Sequence, residues 1–105
     1  MYGIWIPNEP TGEIKRVLFN SPNEVFGTDS FTIIGSCIER NLVFIGLNGS
    51  IHPHTLSTST GVNNRIPLAL FKESVFENDC VKGPVIVIET DTSGEPIDIQ
   101  INTIF

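Results

Sequence analysis

Along most of this chain apolar positions alternate with polar ones rather than recurring at helical spacing. Tyr2, Ile4 and Ile6 alternate with Gly3 and Trp5, a period of two that predicts a strand over Met1–Pro7. Trp5 then points away from the Tyr2/Ile4/Ile6 face, as an exposed aromatic anchor. Asn8-Glu9-Pro10-Thr11-Gly12 is turn chemistry, because Pro presets φ and Gly accepts φ > 0. Glu13–Phe19 returns as a second strand and completes a hairpin. Ser21-Pro22-Asn23-Glu24 has the order of a capping box, with Ser21 at the N-cap, Pro22 first in the helix and Glu24 third. Gly27 ends that helix early, so Val25 and Phe26 are its buried contribution.

Phe31–Ile38 predicts a strand with a bulge at Gly35, and Leu42–Leu47 a strand covered on both faces. Asn48-Gly49 is a two-residue hairpin turn, from which Ser50-Ile51 pairs back. Ser50–Asn64 then loses all periodicity. It carries no formal charge and six hydroxyls, on Ser50, Thr55, Ser57, Thr58, Ser59 and Thr60. A long irregular segment in a small domain is usually a working one or a mobile one. Ile66–Phe71 predicts a second short helix with Pro67 in its first turn, and Lys72–Asp79 either extends it or turns. Val85–Ile88 is the most strand-like run. Asp91-Thr92-Ser93-Gly94 turns, and Pro96–Thr103 alternates with Ile97, Ile99 and Ile101 inward.

The resulting order is ββαββαββ. It predicts one α+β domain over residues 1–105, with a mostly antiparallel sheet of about six strands and one or two short helices. The central runs need cover on two faces, which partial rolling of the sheet into a barrel would provide.

Composition narrows the function classes. Apolar residues make up 40% and charged residues 17%, enough to build a core and too little charge for a disordered chain. The net charge is −6, which argues against a nucleic-acid partner because that needs a cationic footprint. No run approaches the length of a membrane span, so no membrane partner is expected, and no secretory signal is visible at the start. Residues 73–105 carry Glu73, Glu77, Asp79, Glu89, Asp91, Glu95 and Asp98 against Lys82 alone, so the whole negative excess sits there. Such a face either keeps the chain solvated or docks a basic partner. Two cysteines, Cys37 and Cys80, are too few for a disulfide scaffold. They read as reduced, buried thiols, with a single bridge as the alternative, and point to an intracellular setting.

No motif reports a reaction. His52-Pro53-His54 places two imidazoles on opposite sides of an extended segment, without the spacing of a metal site, so neither metal nor cofactor is called for. Glu89 and Asp91 stand two residues apart near a strand end, where an acid–base role with His54 would make a small hydrolase. The most suggestive segment is Ser57, Thr58, Ser59 and Thr60 followed by Asn63, Asn64 and Arg65. Hydroxyls, amides and a guanidinium fork just before a helix start suit a carboxylate or phosphate. The competing structural roles are Asn64 as N-cap and Arg65 paired to an acid of the last third.

Four pieces together carry a resemblance: Tyr2-Gly3-Ile4-Trp5-Ile6-Pro7, Leu47-Asn48-Gly49, Gly61-Val62-Asn63-Asn64-Arg65 and Lys82-Gly83-Pro84-Val85-Ile86-Val87. Through them the chain resembles a family of small domains of unknown function borne by phages and large DNA viruses. Members of that family often carry a longer first helix where this chain has Ser21–Gly27. The resemblance implies a viral accessory protein in the host cytoplasm and transfers no catalytic residue. The leading expectation is a non-enzymatic domain that binds a host protein or a small anionic ligand, in counter-defence. The alternatives are a homo-oligomeric structural or minor virion protein and the small hydrolase.

Overall fold

A computed structural model describes residues 1–7, 12–47, 66–77 and 83–100. Among these residues seven strands and two short helices follow in the order β1 (Tyr2–Ile6), β2 (Lys15–Leu18), α1 (Asn23–Phe26), β3 (Phe31–Cys37), β4 (Leu42–Leu47), α2 (Leu68–Glu73), β5 (Val75–Phe76), β6 (Val85–Thr90) and β7 (Pro96–Ile97). They form one antiparallel sheet ordered β2-β1-β6-β4-β3-β5, with β7 also on β6. The fold is therefore α+β with an antiparallel sheet, as the patterning predicts.

β6 is the axis of the sheet. One edge pairs with β4 from Val85 to Glu89. Its other edge is shared: β1 takes Val85–Val87 and β7 takes Glu89–Thr90. The pleat sorts the apolar runs onto two faces. Val85 and Val87 join Ile4, Ile6, Leu42 and Phe44 in one cluster, and Ile86 joins Ile45 and Phe19 in the other. Each helix closes one face. Leu70 of α2 and the preceding Ile66 are buried in the first cluster, while Val25 and Phe26 of α1 pack on the second. Fully burying an aliphatic or Phe side chain is worth about 1.5–3 kcal/mol. A ten-residue investment in helix thus secures two cores.

This arrangement corrects several expectations. The sheet stays open, and β2 and β5 end the strand order instead of meeting to form a barrel. The cover that rolling was invoked to supply comes from α1 and α2. Trp5 is half-buried rather than an exposed anchor, because the Phe26 ring stands edge-on to it at 5.7 Å and 62°. Phe26 also stacks on Phe31 at 6.0 Å and 24°. The last strand is confined to Pro96–Ile97 among the described residues, with Ile97 exposed and only Ile99 turned into the core. The Asn48-Gly49 hairpin and residues 101–103 of the last strand lie outside the described residues.

α1 begins at Asn23 with Pro22 rather than Ser21 in the cap position and no side-chain cap bond, so only the carboxylate half of the expected capping box forms. Glu24 Oε2 accepts the amides of Ser21 at 2.9 Å and Asn20 at 3.1 Å. Gly27 ends α1 at φ 75°, donating its N–H to Asn23 O at 2.9 Å.

β3 carries a bulge one residue earlier than expected. Ile33 opposes Ile45 and Gly35 opposes Phe44, so Ile34 is the inserted residue. The insertion reverses the faces of the strand. Phe31 packs on the α1 side, whereas Cys37 reaches the α2 core as a free, buried thiol. Cys80 lies outside the described residues. Just past α2, Ser74 donates its hydroxyl to Leu70 O at 2.7 Å and the chain enters β5, a strand the patterning omits. Phe76 of β5 stacks on Phe71 and tilts against Phe44, each at a centroid distance of 4.8 Å.

Gly35 makes this docking possible. A Cβ there would collide with the Phe76 ring and stand 2.8 Å from the Val75 carbonyl. Gly35→Ala should therefore destabilise the fold by about 1–3 kcal/mol, the usual cost of overpacking. Urea unfolding of the two proteins side by side measures the difference. Equal midpoints would show that Phe76 does not rest on Gly35.

Candidate functional site

The residues singled out in the sequence as ligand-binding, Ser57, Thr58, Ser59, Thr60, Asn63, Asn64 and Arg65, lie outside the described residues, as do His52 and His54. Their flanks are described. Leu47 closes β4, paired with Phe31, and Ile66 is buried against the α2 side of the sheet. Residues 48–65 thus connect a strand in the interior of the sheet to an anchored core residue.

The start of α2 removes one structural role from this segment. The helix begins at Leu68, and Pro67 holds the cap position with φ −53° and ψ 133°. Asn64 stands three residues before that position and is not the N-cap. Proline is suited to a helix start because the missing N–H would find no intrahelical partner there. The same geometry corrects the idea of an anion held at this helix end. Six residues align too few peptide dipoles to make a strong positive pole, so any anion recognition falls to side chains such as Arg65.

The carboxylate pair proposed for acid–base work is also resolved. Glu89 lies within β6, opposite Leu42 on one side and Ile97 on the other. Asp91 instead organises the β6–β7 turn. Its Oδ1 accepts the backbone amides of Ser93 at 2.9 Å and Glu95 at 3.0 Å. Its backbone closes the turn through Asp91 N–H to Glu95 O at 2.9 Å and Gly94 N–H to Asp91 O at 3.0 Å, with Gly94 at φ 87°. The Glu95 amide is the main cause of a carboxyl pKa held below its ordinary value, helped by the Ser93 hydroxyl and the Ser93 and Gly94 amides. A carboxylate ionised this firmly and used as a turn acceptor is a poor general base at neutral pH.

Other charged groups that the sequence left unassigned hold the chain to itself. Asp98 Oδ1 accepts the Tyr2 amide at 3.0 Å. Arg16 donates from Nε to Ile99 O at 2.8 Å, and its guanidinium lies 3.8 Å from the centre of the Tyr2 ring. Together they fasten the segment after β7 across the start of β1. Arg40 in the β3–β4 turn meets Glu73 at the end of α2 through two contacts, at 2.9 and 3.3 Å. Among the described residues no three His, Cys, Asp or Glu side chains gather as a metal site would require. Among them, too, no helix is long and apolar enough to cross a membrane.

One surface feature went unread in the sequence. Ile33 and Val75 are both large, apolar and exposed on neighbouring strands. The signal was the Ile33-Ile34 doublet, which breaks the alternation of β3 and marks the bulge that turns Ile33 outward. No family model matches the chain, and neither a curated protein nor a solved structure matches it.

The pH dependence of Asp91 has a definite sign. A carboxyl whose folded pKa is depressed stabilises the fold above its unfolded pKa, and that contribution is lost as pH falls through the folded value. Asp91→Asn keeps an oxygen acceptor and removes the charge. Its urea midpoint should lie below that of the parent at pH 6, and the gap should close on acidification to about pH 2. A constant gap across that range would rule out the charge as its origin.

Proposed function

We propose that this protein is a non-catalytic binding module, a viral accessory domain of the host cytoplasm whose residues 57–65 hold a small anionic ligand in counter-defence. The observation that carries this reading is the start of α2 at Leu68 with Pro67 in the cap position. It relieves Asn64 of a capping role, and in the sequence Asn63 and Asn64 directly precede Arg65. Arg65 directly precedes Ile66, which is fixed in the core. A guanidinium next to an anchored residue loses less freedom when it engages a planar or tetrahedral anion. The hydroxyls of Ser57, Thr58, Ser59 and Thr60 add donors of the right chemistry.

The hydrolase alternative loses support from the β6–β7 turn. It needs Glu89 or Asp91 to work with His54, and Asp91 is already committed to two backbone amides. Glu89 forms the end pair of the β4–β6 ladder, opposite Leu42, and also pairs with Ile97 of β7.

Calorimetric titration of the full chain with cyclic mono- and dinucleotides tests the proposal. At least one should bind, and Arg65→Ala should weaken it by about tenfold or more, the worth of a charge-assisted hydrogen bond. No heat from any member of the panel, or equal affinity of parent and variant for a member that does bind, would refute it.

A further inference from the structure

We propose that residues 20–30, between β2 and β3, form a hinged lid that opens on its own over the second apolar cluster while the sheet and α2 stay folded. The hydrogen bonds of this segment are internal. Glu24 N–H donates to Ser21 O, Val25 and Phe26 N–H to Pro22 O and Gly27 N–H to Asn23 O, at 2.9 or 3.0 Å. Glu24 Oε2 takes the amides of Asn20 and Ser21, and Ser30 N–H donates to Thr28 Oγ1 at 3.1 Å. Among the described residues, no hydrogen bond or ion pair ties 20–30 to a strand. Its two ends are fixed. Phe19 N–H donates to Met1 O at 3.0 Å, and Phe31 pairs with Leu47.

Contact with the body is apolar, and Phe26 is its crossbeam. The Phe26 ring meets Trp5 on β1 and Phe31 at the start of β3. β6 and β4 lie between those two strands. In that gap Ile86 opposes Trp5, and Ile45 opposes Ile86. Phe26 therefore spans a floor made by Ile86 and Ile45. That floor and Phe19 are buried, yet no residue of α1 is. A side chain left half in water gives up less on lifting than one that is fully buried.

α2 is anchored differently. Leu70 is 1% exposed, Ser74 Oγ donates to Leu70 O, and Glu73 is paired with Arg40 of the β3–β4 turn. The aromatic contacts on that face are also closer. Phe71 and Phe44 each stand 4.8 Å from Phe76, against 5.7 and 6.0 Å for the two Phe26 pairs. Local opening starts where buried apolar contact is least, so α1 opens before α2. A helix of four residues does not persist off the sheet, so lifting and unwinding are one step. Gly27, at φ 75° with open space beside it, gives the chain a swivel at the helix end. Opening bares Ile86 and Ile45 from the α1 side, while Cys37 in the α2 core stays covered.

Amide exchange and thiol labelling of the full chain, each across sub-denaturing urea, test the lid. Exchange of Val25, Phe26 and Gly27 should be nearly insensitive to urea, because a small opening exposes little surface. Ile86 and Val87 should follow the steep dependence of global unfolding. Labelling uses Ile45→Cys together with Cys80→Ser, so that the introduced thiol lies under α1 and Cys37 under α2. The introduced thiol should react faster than Cys37 by about tenfold or more. Phe26→Leu keeps an apolar side chain but loses both ring contacts, and should speed that reaction about tenfold again. Equal urea dependence for α1 and β6 would overturn the proposal. So would equal rates at the two thiols, or a Phe26→Leu rate equal to the parent's. Rapid exchange in α1 beside an unreactive introduced thiol would overturn it too, because the helix then frays without uncovering the floor. The exchange measurement needs no substitution and decides the matter alone should Ile45→Cys fail to fold.

Discussion

The pairing of β6 with strands on both edges is the constraint from which the other features follow. Val85, Ile86 and Val87 are each fully buried, so over this first half of the strand neither face reaches water, while Ile88–Thr90 are half-buried. A strand in that position must have every backbone donor and acceptor taken by neighbours, since an unpaired buried amide costs as much as a lost hydrogen bond. β4 meets that requirement along one edge, and β1 with β7 along the other. The two faces then demand cover, and that demand explains two helices as short as Asn23–Phe26 and Leu68–Glu73. Neither would be stable alone, because helices of this length do not repay nucleation. They persist as lids over aromatic clusters.

The polar groups follow a similar division of labour. Glu24, Asp91 and Asp98 each accept backbone amides rather than facing one another. Acids that look like surplus negative charge in the composition thus include several turn-makers. The concentration of acids in the last third is in part a consequence of how the β6–β7 turn and the strap over Tyr2 are built.

How far the fold can be read from the residues depends on whether pattern or partner defines an element. Leu42–Leu47 and Val85–Ile88 are apolar at every position but one, and runs like these have few places to go except the middle of a sheet. The short helix started by Ser21-Pro22-Asn23-Glu24 is equally local and legible, although Pro22 and not Ser21 takes the cap position. β5 is not, because Val75-Phe76 has no period and becomes a strand only by lying against Gly35. The last strand fails in the opposite sense. The alternation of Ile97 and Ile99 suggests one continuous ladder, yet the Asp98 side chain is drawn to the Tyr2 amide and Ile99 enters the core beyond the ladder's end. For the candidate site, the uncharged composition of Ser50–Asn64 and the fork of Arg65 are visible in the sequence. That Pro67 rather than Asn64 caps α2 depends on where the helix begins, and boundaries are the part of an element that local pattern fixes least.

The sharing of one β6 edge between β1 and β7 has a consequence for synthesis. Ile4 pairs with Val87, and the Ile99 amide reaches the Tyr2 carbonyl at 3.4 Å. Contacts separated by so much chain close late in folding. As this stretch leaves the ribosome, the β1–β2 hairpin emerges before β6 and keeps one side open until β6 arrives. Nascent chains therefore carry an apolar, half-made sheet until β6 has been synthesised, and that interval is when a chaperone would matter most to them.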